Sequence, residues 1–337
     1  MTISLSTDSV TFDFPDVDAD ATVSVSFQRT LRVPDDGARY GLPPGLGSFP
    51  MRRVEDLPAD GVPTLWARSG GVVLPMWQAE ACWLRFHVPT RYSFLVKVGC
   101  GGINAVTGGP FTTEPDFAEE DYFEVPAQPW LDGFCTEKGE VRQFVAMPLH
   151  RGYTVEEQIT GRAEHGGIQL VVIPLTSAVH REREEARRKA AEEGSGRYGA
   201  VGLAMPAPPP DAAAPAGAAM GLGAGGSITQ SIETPVEPHD NWELRAGKRL
   251  AVHIADSATW TAITDETPPW RPPSAADYTR HGLPWFDWYA ETLPRSGSST
   301  LAEVKSVLQF GRARGEDPLP ENESFEPPEP VRLGPDL

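Results

Sequence analysis

Short segments in which apolar and polar residues alternate are the feature that most constrains the fold of this chain. Val10, Phe12 and Phe14 alternate with polar residues, the period-two pattern of a strand with one buried face. Similar alternation, or a short apolar run, recurs at residues 23–33, 65–68, 72–76, 82–88, 94–98, 103–107, 141–149, 153–159 and 168–175. About ten to twelve short strands separated by glycine and proline turns predict a mainly β fold, an antiparallel β-sandwich or jelly-roll-like domain.

The last of these segments predicts the centre of the sheet. Residues 168–175 contain the longest run of branched apolar residues in the chain, which is typical of a strand covered on both faces. Two further strands are predicted directly before it, at 141–149 and 153–159. The other strands are expected to lie beside this one.

Changes in composition divide the chain. Residues 1–178 are predicted to form the β-sandwich domain. Residues 179–193 are rich in Arg, Glu and Ala and predict a charged, solvent-exposed helix. Residues 194–226 are rich in Pro, Ala and Gly and predict a flexible linker. Residues 227–315 are predicted to be a smaller C-terminal strand-and-helix (α+β) region that packs on the first domain. It is expected to contain a helix that begins near Leu283 and one amphipathic helix from about 300 to 313. Residues 316–337 are predicted to be a Pro- and Glu-rich tail.

The net charge and the cysteine content limit the cellular compartment and the binding partners that are expected. The net charge of −18 disfavours binding to nucleic acid or to an anionic membrane surface. The first residues carry neither the basic nor the apolar part of a signal peptide. Three widely spaced cysteines, Cys82, Cys100 and Cys135, fit reduced thiols better than a disulfide framework. A cytoplasmic protein is therefore expected.

Searches for motifs that bind metals or cofactors fail. The chain has no His-Glu-x-x-His, no Cys-x-x-Cys and no phosphate-binding glycine loop before a helix. Asp16, Asp18 and Asp20 have the spacing of a calcium loop, but Ala21 and Phe27 replace the glycine and glutamate that such a loop needs. No metal site and no cofactor are predicted.

Polar residues near the strongest strands are the candidates for chemistry. A carboxylate and a histidine that share a cleft can perform general acid–base catalysis, although charged pairs also stand on the solvent face of ordinary antiparallel sheets. The tryptophans offer stacking surfaces for a sugar or another ligand, but more often they fill cores. The candidate catalytic residues are Asp132, Arg142, Glu157 and His165, and the candidate binding residues are Asn104, Trp130 and Gln143.

Four segments resemble a known group of sequences. They are Gly101–Gly108 (GGINAVTG), Gln128–Phe134 (QPWLDGF), Arg142–Leu149 (RQFVAMPL) and Gly282–Asp287 (GLPWFD), and they are similar to segments of a family of uncharacterised bacterial and fungal proteins. The resemblance covers most of the chain outside residues 180–225. It implies no activity and no catalytic residue, but it implies one co-folding unit, since its segments lie on both sides of the linker.

Two functional hypotheses follow from these observations. The first is a non-catalytic binding or assembly protein, with a protein partner or self-association as a homo-oligomer. The second is a hydrolase or isomerase that acts on a small-molecule or sugar substrate. A concave pocket that gathers a histidine and carboxylates would favour the enzyme, whereas a flat apolar face or an open strand edge would favour assembly.

Overall fold

A computed structural model describes residues 2–193, 219–288, 294–316, 324–326 and 329–333. The strands of these residues are β1 (Thr2–Leu5), β2 (Val10–Asp13), β3 (Thr22–Thr30), β4 (Arg39–Tyr40), β5 (Gly45–Ser48), β6 (Arg52–Arg53), β7 (Val72–Pro75), β8 (Ala81–His87), β9 (Phe94–Cys100), β10 (Ile103–Asn104), β11 (Phe123–Val125), β12 (Trp130–Leu131), β13 (Gly133–Glu137), β14 (Glu140–Pro148), β15 (Ile168–Pro174), β16 (Ala219–Thr229), β17 (Lys248–Ala255), β18 (Phe286–Trp288) and β19 (Val331–Leu333). The α-helices are α1 (Thr64–Ser69), α2 (Val155–Thr160), α3 (Ser177–Glu193), α4 (Ser257–Thr264), α5 (Ala275–Arg280), α6 (Ser299–Glu303) and α7 (Val307–Ala313). Within these ranges, no helix combines the length and the apolar character needed to cross a bilayer.

Strands β1 to β17 form one hydrogen-bonded network with two halves. The first half has the order β1–β2–β3–β8–β14–β16; β5 borders β3, β12 borders β8, β13 borders β14, and β4 runs parallel to β16. The second half has the order β6–β7–β17–β15–β9; β10 and β11 border β9, and β7 runs parallel to β17. The halves join where Ala219 and Met220 of β16 pair with Ala255 and Ile254 of β17. Strands β18 and β19 form a separate parallel pair.

The apolar faces of the two halves pack against each other. The rings of Phe14, after β2, and Phe94, in β9, have centroids 5.9 Å apart. The rings of Phe86, in β8, and Phe123, in β11, are 5.4 Å apart. Buried side chains from both halves belong to one continuous apolar cluster. The structure therefore confirms the predicted mainly β fold and its sandwich-like layering.

Strand β15 confirms the predicted central strand. It pairs with β9 along one edge and with β17 along the other, and all of its residues except Gln169 are buried. A strand with two partners and two covered faces needs apolar residues at both parities, which is the pattern of 168–175.

The prediction of a strand at 153–159 is wrong, because this segment contains helix α2. The Thr154 hydroxyl accepts a hydrogen bond from the N–H of Glu157, and the Glu157 side chain accepts one from the N–H of Thr154. This capping box satisfies N–H groups that the start of a helix leaves unpaired. Gly161, with φ of 72°, ends the helix in the left-handed conformation.

Three other local predictions are corrected. The segment 65–68, predicted as a strand, lies in α1. The helix predicted from about 300 to 313 is divided into α6 and α7, because Val304 is extended and the Ser306 hydroxyl caps α7. The helix predicted to begin near Leu283 is replaced by strand β18.

Helix α3 matches the predicted charged helix, and its first turns contact the sheet domain. His180 is buried. Arg183 donates hydrogen bonds of 2.8 and 2.6 Å to the carboxylate oxygens of Glu237. The side chains from Glu184 to Lys189 are exposed, as predicted for a helix without an apolar stripe.

The end of the predicted linker is wrong. Residues 219–226 are the first part of β16, which pairs with β14 at the end of the first half that joins the second. A Cβ atom at Gly225 would lie 2.6 Å from Val145 Cγ2, and one at Gly226 would lie 2.1 Å from the carbonyl oxygen of Pro34. Glycine is therefore required here by close packing. Residues 194–218 of the linker, and residues 317–323, 327–328 and 334–337 of the tail, lie outside the described residues.

Candidate functional site: an aromatic cleft above a buried carboxyl group

Two tryptophans share the outer face of the first half of the sheet. In β8, Cys82 and Leu84 are buried and Trp83 between them is half-buried. Strand β12 pairs with β8 so that Trp130 lies opposite Arg85. Since residues opposite each other point to the same face, Trp130 is a diagonal neighbour of Trp83 on that face. The register of two strands therefore brings together tryptophans that are far apart in sequence.

These tryptophans line an open cleft of about 330 Å³. The segment Leu42–Gly45 and Phe286 form its other walls. Leu42 and Phe286 exchange backbone hydrogen bonds of 2.6 and 3.0 Å, and the Thr30 hydroxyl donates to the carbonyl oxygen of Pro44 at 2.9 Å. Leu42 and the two prolines that follow it give this wall a largely apolar surface. We define the aromatic cleft by its lining: Leu42, Pro43, Pro44, Gly45, Trp83, Trp130, Asp132 and Phe286.

Asp132 is the one titratable residue among those eight. Its side chain is almost fully buried. Gln230 Nε2 donates to Asp132 Oδ2 at 2.6 Å, and Gln230 Oε1 accepts from the Asp132 N–H at 2.9 Å. Burial raises the pKa of Asp132 to about 7, although hydrogen bonds from the side chains of Gln230 and Trp130 oppose the rise. The carboxyl group thus changes protonation state close to neutral pH.

The indole N–H of Trp83 provides a second polar group at the cleft. This nitrogen is buried and has no hydrogen-bond partner among the described residues. A Cβ atom at Gly45 would contact Trp83 Cζ2 at 3.5 Å, so the ring edge that carries the nitrogen faces the proline wall. A buried donor without an acceptor destabilises a structure. Because this nitrogen has almost no accessible surface, it offers no donor to a ligand in the cleft.

A second buried carboxyl group, that of Glu80, lies near Cys82. Arg29 donates from Nε and Nη2 to Glu80 Oε1 at 2.9 and 2.7 Å, and the N–H of Trp77 donates to Glu80 Oε2 at 2.8 Å. Burial raises the pKa of Glu80 to about 7, while Arg29 limits the rise. Burial, with smaller contributions from Glu80 and Asp132, raises the pKa of the Cys82 thiol, so this cysteine is an inert, apolar part of the core.

The predicted binding residues Asn104 and Gln143 have structural roles. Asn104 Oδ1 accepts from the N–H groups of Val106 and Thr107 at 2.9 and 3.0 Å, which closes a turn. Gln143 Oε1 accepts from the N–H of Val33 at 3.0 Å, and its Nε2 donates to a backbone carbonyl at 2.7 Å. Both side chains are buried, and their polar atoms serve the backbone.

The predicted catalytic residues are not brought together. Asp132 lines the aromatic cleft, whereas Glu157 and His165 each line a different cavity. The carboxylate of Glu157 is occupied by the capping box and by the N–H of Gly152 at 2.9 Å. Arg142 donates to the carbonyl oxygen of Val304 at 2.5 Å and so holds the segment between α6 and α7.

The sequence predicts only part of this site. It points to Trp130 and Asp132, but not to their proximity to Trp83, to the proline wall or to Gln230. A signal for Trp83 exists, since it has the opposite parity to Cys82 and Leu84 and must therefore face outward. Neither Gln230 nor the proline wall has such a signal, because both come from distant parts of the chain.

A scan against protein-family models, a search of curated proteins and a search of solved structures each found no match to this chain. The family resemblance noted from four segments therefore stays a prediction.

Proposed function

We propose that this chain is a non-catalytic binding protein, and that its aromatic cleft holds a flat, mainly apolar ring system of a small molecule. The observation that carries the proposal is the pair of tryptophans, Trp83 and Trp130, at one open cavity of about 330 Å³. This volume is within the range of small-ligand sites, roughly 300–1,000 Å³. Offset stacking on an indole ring stabilises a planar ligand by more than its buried area alone.

The lining favours a flat apolar ring over a sugar. A sugar needs several hydrogen-bonding groups for its hydroxyls, but the cleft contributes leucine, proline, glycine and phenylalanine beside the two tryptophans. Its carboxyl group, Asp132, is already bonded to Gln230 and Trp130. The indole N–H of Trp83 is buried, so it adds no accessible donor to the lining.

The competing proposal is an enzyme, a hydrolase or isomerase that uses Asp132 as a general acid or base. The pKa of about 7 favours it, since efficient acid–base catalysts have pKa values near the working pH. The arrangement disfavours it, because Arg142, Glu157 and His165 lie at other places and leave Asp132 without a second catalytic group among the residues that line the cleft. Binding is therefore the better-supported function.

Titration with the neutral aromatic dye N-phenyl-1-naphthylamine tests the proposal. We expect saturable binding that Trp83→Ala and Trp130→Ala each weaken about tenfold, the equivalent of roughly 1.4 kcal/mol of lost stacking. Trp77→Ala is the matched control, because Trp77 is half-buried and its indole donates to the Pro269 carbonyl outside the cleft at 2.8 Å. Unchanged dye binding in both cleft variants would refute the proposal.

The same assay separates the ligand classes and the two functions. If methyl glucoside displaced the dye, the proposed ligand class would change from a flat apolar ring to a sugar. Asp132→Asn should leave dye affinity within about threefold of the native protein, since it keeps the shape of the side chain and an acceptor for Gln230. Turnover of a substrate that stops in Asp132→Asn while binding persists would instead establish the enzyme.

A further inference from the structure

A second and larger cavity lies between the edges of the two halves of the sandwich. Its volume is about 670 Å³, and it opens between the β1–β2 hairpin, the turn from α1 to β7, and the strands β15 and β17. Strand β1 pairs with β2 alone and β6 with β7 alone among the described residues. The cavity thus forms where the edges of the two halves approach each other without joining. We name it the edge groove.

Partly exposed apolar side chains cover one part of the edge groove. Ile3, Leu5 and Phe111 line it and keep part of their surface accessible. Val10, Val72, Leu170 and Leu250 also line it, but each of them is more than nine-tenths buried, so they form its closed base. An alkyl chain in the groove would contact Ile3, Leu5 and Phe111.

Positive charge surrounds the groove. Arg53, Arg68 and Arg249 line it together with one carboxylate, Glu55, which pairs with Arg53 at 3.3 Å. Within the described ranges, the side chains of Arg68 and Arg249 form no hydrogen bond or ion pair, and both residues are exposed. This excess of cations is local, since the chain as a whole has 29 Lys and Arg against 47 Asp and Glu.

An apolar surface beside a cationic rim indicates the chemical class of the ligand. From this geometry we infer that the edge groove binds an amphipathic small molecule, with an alkyl chain along Ile3, Leu5 and Phe111 and a carboxylate, sulfonate or phosphate head at Arg68 and Arg249. Guanidinium groups hold such oxyanions by charge-assisted hydrogen bonds. The volume lies within the range of small-ligand sites. This site is separate from the aromatic cleft and does not depend on its function.

Calorimetric titration with monomeric decanoate, and with decanol as its uncharged counterpart, tests the inference. We expect one decanoate to bind per chain, at least tenfold more tightly than decanol. The double variant Arg68→Gln/Arg249→Gln should remove that preference, because hydrogen bonds to charged groups typically contribute enough for a tenfold change in affinity. Added salt should weaken the binding of decanoate more than the binding of decanol.

Two controls isolate the groove. Arg245→Gln removes the same charge from an exposed residue outside the groove and should leave decanoate affinity unchanged. Trp130→Ala should also leave it unchanged, so that failure of the aromatic cleft and failure of the groove give different results.

Several results would overturn the inference. These are no decanoate binding, equal affinity for decanoate and decanol, or native affinity in the double arginine variant. Sedimentation of the protein with anionic lipid vesicles, without binding of monomeric decanoate, would overturn it in favour of a membrane surface.

Discussion

Replacing Asp132 by asparagine should change how the stability of the protein depends on pH. Burial raises the pKa of this carboxyl group from its ordinary value of 3.8 to about 7. Between these pH values the unfolded chain has lost the proton and the folded protein keeps it. Since the folded state then binds more protons, the free energy of unfolding must fall as the pH rises through this window and level off above about pH 7. The stabilisation is fully present below about pH 4.

The size of the effect follows from the two pKa values. Each pH unit between 3.8 and about 7 corresponds to about 1.4 kcal/mol, so the complete loss is roughly 4 kcal/mol. Somewhat more than half of it, roughly 2 to 3 kcal/mol, falls between pH 5 and pH 8. Asparagine carries no proton to lose, so the unfolding free energy of Asp132→Asn should rise relative to the native protein by that amount over this interval.

Urea unfolding followed by tryptophan fluorescence at several pH values measures this difference. Asp60→Asn, at an exposed position, is the control for a general effect of charge. Glu80 acts in the same direction, because burial raises its pKa to about 7, so Asp132→Asn should keep a weaker pH dependence of its own. A constant difference between Asp132→Asn and the native protein from pH 5 to pH 8 would refute the reasoning.

Three further predictions concern the fold. Gly226→Val should destabilise the protein by more than about 3 kcal/mol or prevent folding, because a Cβ atom there would lie 2.1 Å from the Pro34 carbonyl oxygen. Thermal unfolding measures this effect. Gly109→Ala is the control that should be tolerated, because its Cβ would meet its nearest neighbour at 3.5 Å. Glu156→Gln should lower the free energy of unfolding by about 2 kcal/mol. It should also speed hydrogen exchange of the three successive backbone amides, at residues 164 to 166, that donate to this carboxylate at 2.7 to 2.8 Å. Unchanged exchange would contradict that role. A chain in which a short Gly-Ser segment replaces residues 194–218 should unfold cooperatively and keep the oligomeric state of the native protein, as measured by light scattering. A mass above that of one chain in both the native and the shortened protein would support the homo-oligomer prediction.

The strands were predictable because their signal is local. Alternation in β3 places Val23, Val25 and Phe27 on one face, and all three are fully buried. The unbroken apolar run of β15 likewise reflects cover on both faces. Such patterns depend only on the two-residue period of an extended chain. The segment that forms α2 has too few apolar residues to distinguish the two periods, so its pattern wrongly predicts a strand. Its Thr-x-x-Glu capping box is the better signal.

The candidate site was predictable only in part. Trp130 and Asp132 stand two residues apart and were selected from the sequence. Trp83 joins them through the register of β8 and β12, and Gln230 reaches Asp132 across a separation of 98 residues. No local pattern encodes a register or a contact of this kind. The raised pKa of Asp132 follows from the same contacts, since burial is its largest cause.

Sequence alone determined the positions of the five longest strands of residues 1–178 (β3, β8, β9, β14 and β15), the acidic net charge and the charged helix, because each follows from residues close together in the chain. Tertiary structure alone decided that the glycine-rich residues 219–226 form a strand. By composition they resemble a linker, since glycine has no side chain to bury and much conformational freedom to lose. Their neighbours in β14 and at Pro34 approach so closely that only glycine fits. Packing from distant parts of the chain, rather than local preference, therefore gives this segment its structure. The same packing brings Trp83, Trp130 and Phe286 together at the cleft.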